Sequence, residues 1–162
     1  MLLLPLAAGG CGLTESGCPE SRDVTAATSQ STSLGSDYAQ VGLSQYRGTP
    51  GVLSWRAANT TLLQGEVDPF PLQQHVFAAR LLDAGADMAV LLDLPLRPIA
   101  GWDGVGGDLT SYAGPPSFDQ LFALVQAGRA VLELVTDIPG EERVLRRLGT
   151  VFFTDWRRLQ CD

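Results

Sequence analysis

Hydrophobic and polar positions are unevenly spread along this chain. A short apolar run, Met1-Leu2-Leu3-Leu4-Pro5-Leu6, gives way to small residues and then to a long polar stretch. Between residues 12 and 37 the large apolar residues are Leu13, Val24 and Leu34, set among Ser, Thr, Gly and Gln. Neither a helical nor a strand period emerges there, and such a segment does not repay its ordering entropy by burial. Residues 12–50 are therefore expected to form a flexible tether, although Tyr38 to Thr49 would also suit an added edge strand. The folded domain is expected over 51–162.

Within 51–162 the pattern predicts short elements with clear punctuation. Val52 to Ala57 and Thr61 to Leu63 read as strands interrupted at Asn59, and Asp68-Pro69-Phe70-Pro71 excludes both helix and central strand. Val76–Leu82 and Met88–Leu94 are apolar runs around Asp83-Ala84-Gly85-Ala86-Asp87, the signature of a hairpin. Ala100 to Pro116, rich in Gly and ending in Pro115-Pro116, reads as a long loop. One helix is signalled strongly. Ser117 and Gln120 form a capping box, and Phe118, Leu121, Phe122 and Val125 make one apolar stripe that Gly128 ends. Ala130–Val135 follows as a strand, then a turn at Asp137-Ile138-Pro139-Gly140 with Pro and Gly where a type II turn requires them. Arg143–Leu148 and Thr150–Leu159 supply the last strands. The fold expected is mainly β, an antiparallel immunoglobulin-like β-sandwich or barrel with one short helix.

Composition narrows the functional classes. The 162 residues suit one folded domain, and the 45% hydrophobic content can build a core. A net charge of −7, with no basic stripe, argues against nucleic acid as a partner. The single histidine, His75, excludes multi-histidine metal sites and every catalytic triad that does not use it.

The N-terminal pattern points to export. Residues 1–11 are too short to span a bilayer, which needs about 20 apolar residues, and fit the end of a secretory segment. Leu6-Ala7-Ala8-Gly9-Gly10-Cys11 resembles the lipobox of bacterial lipoproteins, with Ala8 where Leu is commonest. The resemblance implies a diacylglycerol on Cys11, hence a membrane partner through a lipid anchor. Gly12 after it would favour the outer membrane, with periplasmic or cell-surface exposure of the domain. With Cys11 lipidated, Cys18 and Cys161 remain as an even pair for one disulfide in an oxidising compartment. The chain-entropy estimate for so long a loop is about 5 kcal/mol. The competing reading is free thiols in a reducing compartment. Asn59-Thr60-Thr61 is a glycosylation sequon, relevant only in a eukaryotic secretory pathway.

Two stretches carry a further family resemblance. Leu63-Gln64-Gly65-Glu66-Val67-Asp68-Pro69 and the closing unit from Leu121 to Leu148 resemble the chordin-type (CHRD) domain. In the closing unit a helix, Ala127-Gly128, an apolar strand ending in Thr136, Pro139-Gly140-Glu141 and Arg143 fall in the family's order. The resemblance spans roughly residues 53 to 149 and implies an immunoglobulin-like sandwich acting as a non-enzymatic extracellular module. The His-x-His element usual in that family is missing from residues 95–116, so no ligand role attached to it transfers.

Candidate chemistry is sparse. His75 lacks a nucleophile context and is expected on a solvent-facing strand. Trp102-Asp103-Gly104-Val105-Gly106-Gly107-Asp108 offers Asp103 and Asp108 as calcium ligands, but lacks the further acids of an EF-hand and is expected to be a plain turn. A hydrolase using paired carboxylates would draw on Glu66, Asp68, Asp83, Asp87 and Asp93, whose spacing selects no pair. Arg143, Arg146, Arg147, Arg157 and Arg158 form a basic edge that protects exposed strands or binds anionic lipid or polysaccharide. Phe152, Phe153 and Trp156 are expected as core and rim of the last strand. The function expected is an exported, lipid-anchored, non-enzymatic binding or structural module without cofactor, its protein or polysaccharide ligand unnamed. The alternative is a secreted hydrolase with a carboxylate or calcium-assisted site.

Overall fold

In the computed structural model, residues 20–32, 35–59, 72–99 and 104–158 are described. Among the described residues ten strands form two antiparallel sheets. β1 (Glu20–Thr32), β2 (Gly35–Tyr46) and β3 (Gly51–Asn59) run as a meander, followed by a one-turn helix α1 (Leu72–His75). β4 (Val76–Asp83), β5 (Ala89–Leu94), β6 (Arg97–Ile99) and β7 (Gly104–Tyr112) precede helix α2 (Phe118–Gln126), and β8 (Ala130–Thr136), β9 (Arg143–Arg147) and β10 (Gly149–Arg158) close the chain. One sheet has the order β10-β1-β2-β3-β7-β6 and the other β5-β4-β8-β9. The fold is mainly β as expected, and the described residues form two packed, open sheets.

The core forms because one face of each sheet is apolar at every second position. Val24 and Ala26 of β1, Ala39, Val41 and Leu43 of β2, and Leu53, Trp55 and Ala57 of β3 face Ala79 and Leu81 of β4, Leu132 and Leu134 of β8, and Val144 of β9. Leu148 is fully buried at the corner where the chain leaves one sheet for the other, its N–H donating to the carbonyl of Ala130 at 3.0 Å.

Several local expectations hold. The Ser117 hydroxyl accepts from the N–H of Gln120 (3.1 Å) while the Gln120 side chain accepts from the N–H of Ser117 (2.9 Å). At the other end of α2, Arg129 N–H donates to Leu124 O and Gly128 N–H to Val125 O, a Schellman closure. The β4–β5 hairpin forms, and Glu141 N–H reaches Ile138 O across a turn with Gly140 at φ +86°.

Two expectations are overturned. Residues 20–32 and 35–46 are not tether: β1 and β2 lie inside the six-stranded sheet, each paired on both sides. Their core positions, Val24, Ala26, Ala39, Val41 and Leu43, include two alanines, and their outer positions mix Ser, Thr and Gln with Ala27, Tyr38 and Gly42, so the period of two is faint in hydrophobicity alone. Two flanking strands satisfy the backbone that a solitary polar segment would leave to water. Residues 104–112 are also strand and not loop. Its glycines permit close approach, since a Cβ on Gly106 would lie 2.5 Å from the carbonyl oxygen of Trp55 on β3.

Side chains also tie the layers together. The Arg22 guanidinium sits 4.8–5.1 Å from the rings of Phe118, Phe122 and Trp156 and pairs with Asp119, fastening α2 to β1. Arg146 of β9 crosses to Asp37 of β2, its Nε 3.1 Å from both carboxylate oxygens.

Candidate functional site

The outer face of the six-stranded sheet carries a polar groove. Residues directly opposite each other on neighbouring strands share a face, so Gln40, Arg56, Gly106 and Arg97 form one row across β2, β3, β7 and β6. Ser54 and Asp108 form the adjoining row. Gly106 contributes no side chain between Arg56 and Arg97, and a groove of about 360 Å³ is lined by Gln40, Ser54, Arg56, Arg97 and Asp108 together with Trp55, Ile99 and Gly107. Arg97 Nη2 lies 3.2 Å from Asp108 Oδ2, and both side chains remain about half exposed. The groove thus offers guanidinium, amide, hydroxyl and carboxylate groups over a few strand spacings.

A second concavity of about 380 Å³ lies between α2 and β5, the edge strand of the four-stranded sheet. Leu91, Pro116, Leu121, Ala123 and Leu124 supply apolar wall, while Asp83, Arg129 and Gln120 supply the polar groups.

The residues singled out from sequence are dispersed. Asp108, a calcium candidate, is on a strand and paired with Arg97; Asp103, Cys11, Cys18, Cys161, Glu66 and Asp68 lie outside the described residues. Among the described residues no group of three or more His, Cys, Asp or Glu side chains is placed to hold a metal. Asp83 is buried against Arg129, and Asp93 meets Arg80 at 3.3 Å, so each is engaged by its own arginine. His75 does not start a strand. It ends α1, with Nδ1 2.8 Å from Asp137 Oδ1, a contact joining α1 to the end of β8.

The basic edge is likewise divided. Arg143 and Arg147 share the outer face of β9, whereas Arg146 points into the core beside Val144 and Leu148. The period of two over Val144-Leu145-Arg146-Arg147-Leu148 carried that signal. Arg157 lies 3.7 Å from Asp23. Phe152 is half exposed and not core; Phe153 is a rim residue, its ring 5.6 Å from that of Phe122. Trp156 receives the guanidiniums of Arg22 and Arg47 at 4.9 and 4.3 Å.

Sequence reasoning missed Glu133. It sits mid-strand in β8, 1% exposed, on the face opposite the core residues Leu132 and Leu134. Burial would push its carboxyl up. Hydrogen bonds and charge from Arg143 and Arg80 outweigh that and hold it below the usual carboxylate range. A charged residue inside an apolar run is the signal that could have found it.

No family model matches the chain, and no curated protein or solved structure matches it.

Proposed function

We propose that this chain is an exported, lipid-anchored binding module of chordin type, without catalytic activity, whose outer-sheet groove holds a saccharide. The observation that carries this is the cross-strand array of Gln40, Ser54, Arg56, Arg97 and Asp108 around Gly106. Donor-only guanidiniums stand beside an acceptor-only carboxylate, so the best-matched ligand both donates and accepts at neighbouring atoms. Sugar hydroxyls do both, and an open groove on the outer face of the sheet admits a chain passing through. The engagement of Asp83, Asp93 and Glu133 in ion pairs supports a module without hydrolytic machinery.

The apolar run ending in Cys11 supports the anchor, since each buried acyl CH₂ contributes about 0.8 kcal/mol and two or more chains hold stably. The order of α2, β8 and β9 agrees with the chordin-type closing unit.

Calorimetric titration with neutral and uronate-containing oligosaccharides tests the groove. Binding to at least one that weakens about tenfold in Arg97→Ala is the expected result; no binding, or binding indifferent to Arg97→Ala and Asp108→Ala, overturns it. Mass spectrometry of the mature N-terminus tests the anchor, expected as an acylated Cys11 whose mass and membrane partitioning are lost in Cys11→Ser. Unchanged partitioning overturns the anchor alone.

A further inference from the structure

The cleft between α2 and β5 has an organisation the groove lacks. Its wall of Leu91, Pro116, Leu121, Ala123 and Leu124 is apolar, and its polar groups are the Asp83–Arg129 pair beyond the end of α2 and Gln120 in the first turn of α2. Arg129 is held rigidly. Its backbone closes α2, its carbonyl accepts from Ala84 N–H at 3.0 Å, and its guanidinium grips Asp83 through Nε (3.1 Å) and Nη2 (2.7 Å). Gly85 makes room for this, because a Cβ there would lie 2.4 Å from Arg129 Nε. Asp83 also accepts from Gly85 N–H at 2.8 Å, so both of its oxygens are engaged. The guanidinium carries five N–H donors, of which these bonds use two. Toward the start of α2, the Gln120 carbonyl oxygen is committed to the cap, which leaves its amide N–H₂ as a donor.

We propose that this cleft binds a small uncharged molecule with an apolar body and a carbonyl oxygen, such as an ester or lactone. Three features select that class. The volume of about 380 Å³ and the apolar wall match a small-molecule site. The polar groups on offer are chiefly donors, so a ligand contributing an acceptor finds partners, whereas a donor ligand finds none. Asp83 already neutralises Arg129, so a carboxylate entering the cleft would meet a balanced pair and lose its hydration without gaining a counter-charge. This site is separate from the groove on the other sheet, and its test uses different ligands and variants.

γ-Decalactone and its hydrolysed form, 4-hydroxydecanoate, share one carbon skeleton and differ in charge. Titration of the full chain with each, followed by calorimetry, reads the selectivity. The lactone is expected to bind with Kd below about 1 mM and the hydroxy acid about tenfold more weakly. Ala123→Phe fills the cleft from an exposed helix position and is expected to weaken lactone binding at least about tenfold, with the circular dichroism spectrum unchanged. Arg129→Met strips Asp83 of its partner and risks unfolding, so Ala123→Phe carries the test. Lactone binding absent at that concentration, equal or tighter binding of the hydroxy acid, or full binding by Ala123→Phe would each overturn the proposal.

Discussion

Substituting Asp37→Asn keeps the shape of the side chain and removes its charge, which isolates the contact between the sheets. Asp37 and Arg146 are 19% and 10% exposed, and Nε approaches both carboxylate oxygens at 3.1 Å. Arg146 has one other acceptor close by, the carbonyl of Leu145 at 3.0 Å from Nη1. The variant therefore strands a guanidinium whose remaining donors face a neutral amide in the interior. Removing one partner of a buried pair costs about 3–5 kcal/mol, whereas replacing both with apolar groups is often neutral or stabilising. Set against a typical total of about 5–15 kcal/mol, the single substitution removes a large share of the stability. Urea denaturation followed by tryptophan fluorescence measures this. A slope of about 2 kcal/mol per molar turns 4 kcal/mol into a midpoint shift of roughly 2 M. The double variant Asp37→Leu/Arg146→Met is expected to recover most of the loss. The reasoning is refuted if Asp37→Asn costs less than about 1 kcal/mol, the value of an exposed pair, or if the double variant is as unstable as the two single variants added together.

Three further outcomes follow from the geometry. Glu133 is held below the ordinary carboxylate range in the folded state and titrates normally when unfolded. Its contribution is therefore present above the ordinary carboxylate pKa and lost as pH falls through it toward the folded value. The urea midpoint should drop as pH falls below about 5, and Glu133→Gln should flatten that drop while lowering the midpoint at pH 7. Ser117→Ala removes the capping oxygen of α2 and should cost about 1 kcal/mol, read as a lower Tm, with Ser117→Gly costing less. Leu132→Ala, at a fully buried position, should cost about 2–5 kcal/mol, while Leu145→Ala on the exposed face of β9 should stay within about 0.5 kcal/mol. Equal costs for the two leucines would contradict the assignment of faces.

Elements specified by neighbours in the chain were legible from residue order alone. The capping box at Ser117, the Gly128 closure, the β4–β5 hairpin and the Pro139-Gly140 turn each depend on residues a few positions apart, so sequence spacing carries the geometry. The strong apolar strands β4 and β8 were equally plain. Tertiary structure alone decided the rest. β1, β2 and β7 are poor in large apolar residues and owe their order to partners as far away as β10, which local composition does not encode. The pairing of Arg146 with Asp37, the embedding of Glu133 between two arginines and both concavities likewise join residues from distant segments. Cross-strand pairing sets which polar side chains meet. A strand's own sequence tells only which of them share a face.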